Sequence, residues 1–251
     1  MRRIFRSCSW RSTAGQMEYE KFLRQQWQSL YDEWINNSGH RNIAFHTDEQ
    51  REKSTQRGHP GDGGRWVNLG RCDPRKARVY EGPSGDRQLW VRPADKTRKP
   101  SAAYRRYWRR FVRSQGVREP YTYFGKIFPV DHLFPETAAA RTGLEWIRVV
   151  PVKARSNALV SFLEKKRAAK TENPRPHTAD YITMVKVTGF EKSLISFPNG
   201  HEFACQFVLH LETCTPIETR PFEDLKLEIA LISHSFDRAV FGHTQGGIIH
   251  V

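Results

Sequence analysis

Apolar residues first recur at helical spacing over residues 17–37. Phe22, Leu23, Trp27, Leu30, Tyr31, Trp34 and Ile35 return at steps of three and four, which gathers them on one stripe of a helix. Asn36, Asn37 and Gly39 supply a stop. Residues 46–64 are polar and end in GHPGDGG, a loop composition. Short apolar pieces follow at Trp66–Leu69, Val79-Tyr80 and Leu89–Val91, split by turn signals at Asp73-Pro74 and Gly82–Gly85. They predict short strands or an extended segment. A second helical stripe, Tyr104, Tyr107, Trp108, Phe111 and Val112, lies between Pro100-Ser101 and Gly116.

The pattern then predicts strands over 127–134 and 145–152 and a helix capped by Ser156. Asn173–His177 is proline-rich and reads as a linker. Beyond it, apolar runs at 181–188 and 202–211 flank Pro198-Asn199-Gly200, a hairpin signal. Cys205, Phe207, Leu209 and Leu211 alternate with Gln206, Val208 and His210, a strand-like period. Leu225–Ile232 reads as a further strand, and Ile248–Val251 as a candidate last one. The expected fold class is α+β. Its pieces are an amphipathic helix at 17–45, a basic extended region at 46–100, a basic helix plus ββα unit at 101–172, a linker at 173–180 and an antiparallel β module at 181–251.

Charge divides the chain in the same place. The formal net charge is +14, yet residues 1–170 hold 35 Lys and Arg against 17 Asp and Glu, whereas 171–251 hold 6 against 10. A clustered basic surface concentrates polyanions. Its peak is 96–118, KTRKPSAAYRRYWRRFVRSQGVR, with nine Lys or Arg and no acid. Arginines at successive helical turns repel one another, so a polyanion that neutralises the row stabilises it. The guanidinium fork holds phosphate bidentately and stacks on bases. Lys96, Arg98, Lys99, Arg105, Arg106, Trp108, Arg109, Arg110, Arg113 and Arg118 are therefore the candidate nucleic-acid-binding residues. Arg65, Arg71, Arg75, Lys76, Arg78, Arg87 and Arg92, interleaved with the rings of 65–92, extend the same expectation.

Residues 1–16 carry Arg2, Arg3, Arg6 and Arg11 with Ser7, Ser9 and Ser12, and the first acid is Glu18. As a helix they put Met1, Ile4, Phe5 and Cys8 opposite the arginines. Arg-rich, Ser-rich, acid-free and amphipathic is a mitochondrial transit composition. The cysteines Cys8, Cys72, Cys205 and Cys214 show no paired spacing, so reduced thiols are expected rather than a disulfide framework or a metal site. No apolar run reaches the ~18 residues of a membrane span.

Two stretches resemble known families. Asp131-His132 at the end of one expected strand, followed by a second strand and Asn157 at the start of a helix, resembles the ββα-metal core of the HNH nuclease family over residues 126–167. That resemblance implies a divalent metal on Asp131 and Asn157, with His132 activating water. The chain departs from the family pattern in lacking an Asn within Leu144–Arg148 and a second helix His. Residues 181–212 resemble the OB-fold opening of the single-stranded-DNA-binding protein family, through Gly189, Pro198-Asn199-Gly200 and the pair Phe207 and Leu209.

The leading expectation is a non-catalytic mitochondrial RNA-binding protein, without cofactor or metal, that belongs to the mitochondrial ribosome or another ribonucleoprotein. Ribosomal RNA and neighbouring subunits are its expected partners, the subunits through the acidic carboxyl-terminal third. The alternatives are an HNH-like nuclease using Asp131, His132 and Asn157, and an OB-like single-strand-binding accessory protein.

Overall fold

The computed structural model describes residues 14–35, 42–45, 64–82, 85–93, 100–118, 128–170, 177–214 and 225–242. The fold is α+β. In chain order the elements are α1 (Ala14–Ile35), β1 (Asn42–Phe45), β2 (Arg65–Asn68), β3 (Ala77–Glu81), β4 (Arg87–Val91), α2 (Pro100–Ser114), β5 (Val130–His132), α3 (Glu136–Thr142), β6 (Trp146–Pro151), α4 (Ala154–Lys170), β7 (His177–Thr178), α5 (Tyr181–Thr188), a short 3-10 turn (Leu194–Ser196), α6 (Gly200–Cys214) and α7 (Lys226–Val240). The strands form an antiparallel sheet in the order β2-β3-β4-β6-β1-β7, and β5 pairs with β6 off that path.

Alternation along the strands gives the sheet two apolar faces. Leu89, Val91, Val79, Ile147 and Val149 enter the main core with the helices. Phe45, Tyr80, Trp90 and Trp146 form a separate cluster, with Trp66 packed against it. Trp66 lies 5.5 Å from Tyr80, 5.9 Å from Trp146 and 6.4 Å from Trp90, ring centre to ring centre. These rings of 65–92 therefore pack on one another, and the expectation that they stack on bases is not met by Tyr80 and Trp90, both buried.

Helices α1 and α2 meet through aromatic side chains. Phe22 lies 5.8 Å from Trp108 and 5.7 Å from Phe111. Trp108 Nε1 donates to Tyr19 Oη at 2.9 Å, and Trp27 Nε1 donates to the Pro151 carbonyl at 2.9 Å. Both indole N–H groups are buried, so each needs such an acceptor. α1 ends at Ile35, close to the expected stop, and Asn42–Phe45, further along the same 17–45 segment, is β1 paired with β6.

The described residues from Tyr181 onward are helical apart from their connections, which corrects the expected β module and removes the OB-like strand order. In α5 all eight residues are buried, so no polar side of the helix marks its period. Asp180 caps it, accepting from the Thr183 N–H, with a reciprocal contact from Thr183 to the Asp180 backbone. In α6, Asn199 Oδ1 accepts from the Glu202 N–H at 2.8 Å. The Asn-Gly pair thus opens a helix instead of turning a hairpin. Phe203, Ala204, Phe207, Val208 and Leu211 are buried on α6, and Ile229, Ile232, Phe236 and Asp237 on α7. Residues 243–251, with the candidate strand at 248–251, lie outside the described residues, as do residues 1–13 of the transit-like segment.

Candidate nucleic-acid interface

α2 begins at Pro100, whose fixed φ suits a first helical turn, and ends before Gly116, which turns the chain at φ 75°. Tyr104, Tyr107, Trp108, Phe111 and Val112 all point into the core. Trp108 is fully buried, so it anchors the helix and is withdrawn from the candidate binding residues. The arginines divide. Arg105 is half-buried and reaches the Phe128 carbonyl at 3.4 Å; Arg109 is also half-buried. Arg106, Arg110, Arg113 and Arg118 are exposed. Arg106 lies 5.4 Å from the Tyr107 ring centre, and Arg110 donates to the Arg71 carbonyl at 3.0 Å. That bond sets the β2–β3 turn, with exposed Arg71, Arg75 and Lys76, beside the helix. Arg75 pairs with Asp73 at 3.3 Å. Among the described residues, no carboxylate pairs with Arg71, Arg106, Arg110, Arg113 or Arg118. Lys96, Arg98 and Lys99 lie outside the described residues.

The Asp131-His132 pair packs against the buried side of α2, where the Tyr104 and His132 ring centres lie 6.3 Å apart, and it sits in a different electrostatic setting. β5 and β6 pair antiparallel, Asp131 opposite Val150 and His132 opposite Val149, and α4 follows. The expected strand–strand–helix order is present, with α3 inserted between the strands. The Asp131 carboxylate, however, is already engaged. Its Oδ2 lies 2.9 Å from Lys186 Nζ, and its Oδ1 accepts from the His132 backbone N–H at 2.9 Å. His132 Nδ1 is 3.4 Å from the same Oδ1. Lys186, on α5, also donates to Glu164 Oε1 at 2.9 Å and to the His132 carbonyl at 2.7 Å. The three oxygens enclose an ammonium whose side chain is 0% exposed.

Burial works against the Asp131 charge, but Lys186 and then His132 hold its pKa down at about 2, from an ordinary 3.8. Burial also disfavours the Lys186 ammonium, yet Asp131 and Glu164 raise its pKa above the ordinary 10.5. The Lys186 ammonium and the Asp131 carboxylate are thus paired and hydrogen-bonded, as buried ions require. Asn157, in the first turn of α4, makes no hydrogen bond to Asp131 or His132; its backbone N–H donates to the Lys153 carbonyl. Among the described residues, no group of three or more His, Cys, Asp or Glu could hold a metal ion. The Asp131 cradle fits a protein ammonium rather than a divalent cation. Lys186 and Glu164 were not marked as partners by the sequence reading. The one available signal was a lone Lys inside the apolar run Ile182–Val187.

Among the described residues no helix is long and apolar enough to cross a membrane. No family model matches this chain, no curated protein matches it, and no solved structure matches it.

Proposed function

We propose that the protein is a non-catalytic RNA-binding component or assembly factor of a mitochondrial ribonucleoprotein. One observation carries this reading: α2 anchors an aromatic face in the core and presents Arg106, Arg110 and Arg113 outward with no carboxylate partner among the described residues. Ordinary surface cations are commonly interspersed with acids. This row is not, so a polyanion is its natural counterion. The mitochondrial address rests on the arginine and serine content of residues 1–16. Ribosomal RNA and ribonucleoprotein subunits are the partners proposed, the latter docking on the acidic third.

Purification from mitochondria with and without RNase, followed by crosslink mapping, tests the reading. RNA crosslinks within 96–118 support it. Replacing Arg106, Arg109, Arg110 and Arg113 with Ala should weaken binding and flatten its salt dependence; unchanged binding removes α2 from the interface.

A second reading, an HNH-type nuclease, is favoured by the observed strand–strand–helix order around Asp131, His132 and Asn157. Lys186 stands against it. Magnesium- or manganese-dependent strand cleavage that disappears in His132→Ala would establish this second reading, and its absence in the wild type would end it.

A further inference from the structure

The nucleic acid that suits this surface can be narrowed by the side chains its described residues expose. Proteins that grip single strands combine cations with exposed rings on which bases stack. Among the described residues no Phe, Tyr or Trp side chain is exposed; the exposed large hydrophobic residues are Met17, Ile195, Leu209 and Leu231. Among the described residues, the rings that α2 itself carries are turned away from solvent. Tyr104, Tyr107, Trp108 and Phe111 lie under α2. On the sheet, Arg78 covers the Trp146 ring at 5.2 Å and Arg92 covers it at 5.5 Å. Guanidinium groups thus occupy ring faces that bases would need.

What remains outward is a set of cations from two elements held in fixed relation. Arg106, Arg110 and Arg113 project from α2. Arg71 and Lys76 come from the β2–β3 turn, which Arg110 fastens to the helix through the Arg71 carbonyl. Neighbours three and four residues apart on a helix stand roughly 5–6 Å apart at Cβ. Such a row can follow a phosphate backbone; a guanidinium can also read a guanine edge in an open groove, but the deep, narrow major groove of an A-form duplex keeps it on the phosphates. A double helix presents its phosphates continuously and keeps its bases stacked inside. Resting on the nucleic-acid reading above, we infer that the ligand of this surface is the sugar-phosphate backbone of a nucleic-acid double helix, bound through its phosphates and without sequence preference.

The test uses the full chain and fluorescence anisotropy across a salt series. The probes are short RNA duplexes of two unrelated sequences, a DNA duplex of the same length, and oligouridine. The two RNA duplexes should bind within about twofold of each other and roughly tenfold or more tighter than oligouridine. Arg106→Gln, Arg110→Gln and Arg113→Gln should each lower the salt slope by about 1. Equal binding of RNA and DNA duplexes would identify phosphates alone as the ligand. Preference for the RNA duplex would add recognition of its A-form shape. Tighter binding of oligouridine, or a strong difference between the two RNA sequences, overturns the inference while leaving the nucleic-acid reading intact. No binding of any probe overturns both.

Discussion

The molecule holds its cations in two opposite ways. Lys186 is enclosed by two carboxylates and a carbonyl, with no exposed side-chain surface. Arg106, Arg110 and Arg113 stand in solvent with no carboxylate partner among the described residues. A buried charge is tolerated only when its partners replace water, so the first arrangement concerns folding. Exposed like charges three and four residues apart do little for folding and somewhat oppose it. The contrast sets the Asp131 region within the architecture and leaves the α2 row for the partner proposed above.

The largest effect should come from breaking the enclosed set. Lys186→Met leaves Asp131 and Glu164 buried without their cation, and loss of one partner of a buried pair costs about 3–5 kcal/mol. A fall of that size in unfolding free energy, read from a lower denaturant midpoint at unchanged slope, would bear this out. A fall under about 1 kcal/mol would mean that the enclosed set is not a principal support of the fold.

The second effect is visible in pH. The folded pKa of Asp131 lies below its ordinary value, so its stabilisation is present above pH 3.8 and is lost as pH falls through about 2. The shift corresponds to about 2 kcal/mol. Asp131→Asn should therefore remove that part of the acid limb. Lys186 works in the other direction: its raised pKa gives stabilisation that is present below 10.5 and lost as pH rises through the folded value. An acid limb identical in wild type and Asp131→Asn would place the Asp131 contacts in solvent.

Trp108 sharpens the contrast from the other side of α2. Trp108→Phe keeps a ring in the core but deletes the N–H that meets Tyr19 Oη, at a cost of about 1 kcal/mol. Nucleic-acid affinity should stay within about twofold, because the ring does not reach solvent. A tenfold loss of affinity at preserved stability would return Trp108 to the interface.

These same elements show what sequence pattern can convey. α1 and α2 were legible because each has an apolar stripe against a polar remainder. The predicted bounds 17–37 and 101–116 lie close to Ala14–Ile35 and Pro100–Ser114. β5, β6 and α4 were legible as apolar runs followed by a helix, whereas α3 between the strands was not, and Ser156, the expected cap, lies inside α4 and donates to the Lys153 and Lys186 carbonyls. α5 was not: it is buried all round and rich in β-branched residues, Ile182, Thr183, Val185, Val187 and Thr188, which favour strands on propensity alone. α6 misled through the accidental alternation of Cys205, Phe207, Leu209 and Leu211, although Leu209 is exposed in the helix. The cap at Asn199 and the spacing Phe203, Phe207 and Leu211 were the better signals. The arginine row was legible by composition, but which arginines face outward was not. Burial of Arg105, for one, depends on a neighbour distant in the chain, the Phe128 carbonyl.

The smallest effect tests the claim that the exposed row is retained for something other than stability. Arg106 has like-charged neighbours at Arg109 and Arg110, three and four residues on, near the middle of α2. Arg106→Gln relieves both repulsions, each worth about 0.2–0.5 kcal/mol. It should raise stability by about half a kcal/mol at low salt, while weakening nucleic-acid binding. Arg113→Gln shares the relief but loses a cation from the last turn, where the dipole favours it, so its net change in stability should be near zero. Screening sets the control: the gain from Arg106→Gln should vanish at high salt, where exposed charges no longer sense one another. A loss of stability in Arg106→Gln that persists at high salt would mean that the side chain packs within the fold, and the division between the two kinds of cation would no longer hold at that position.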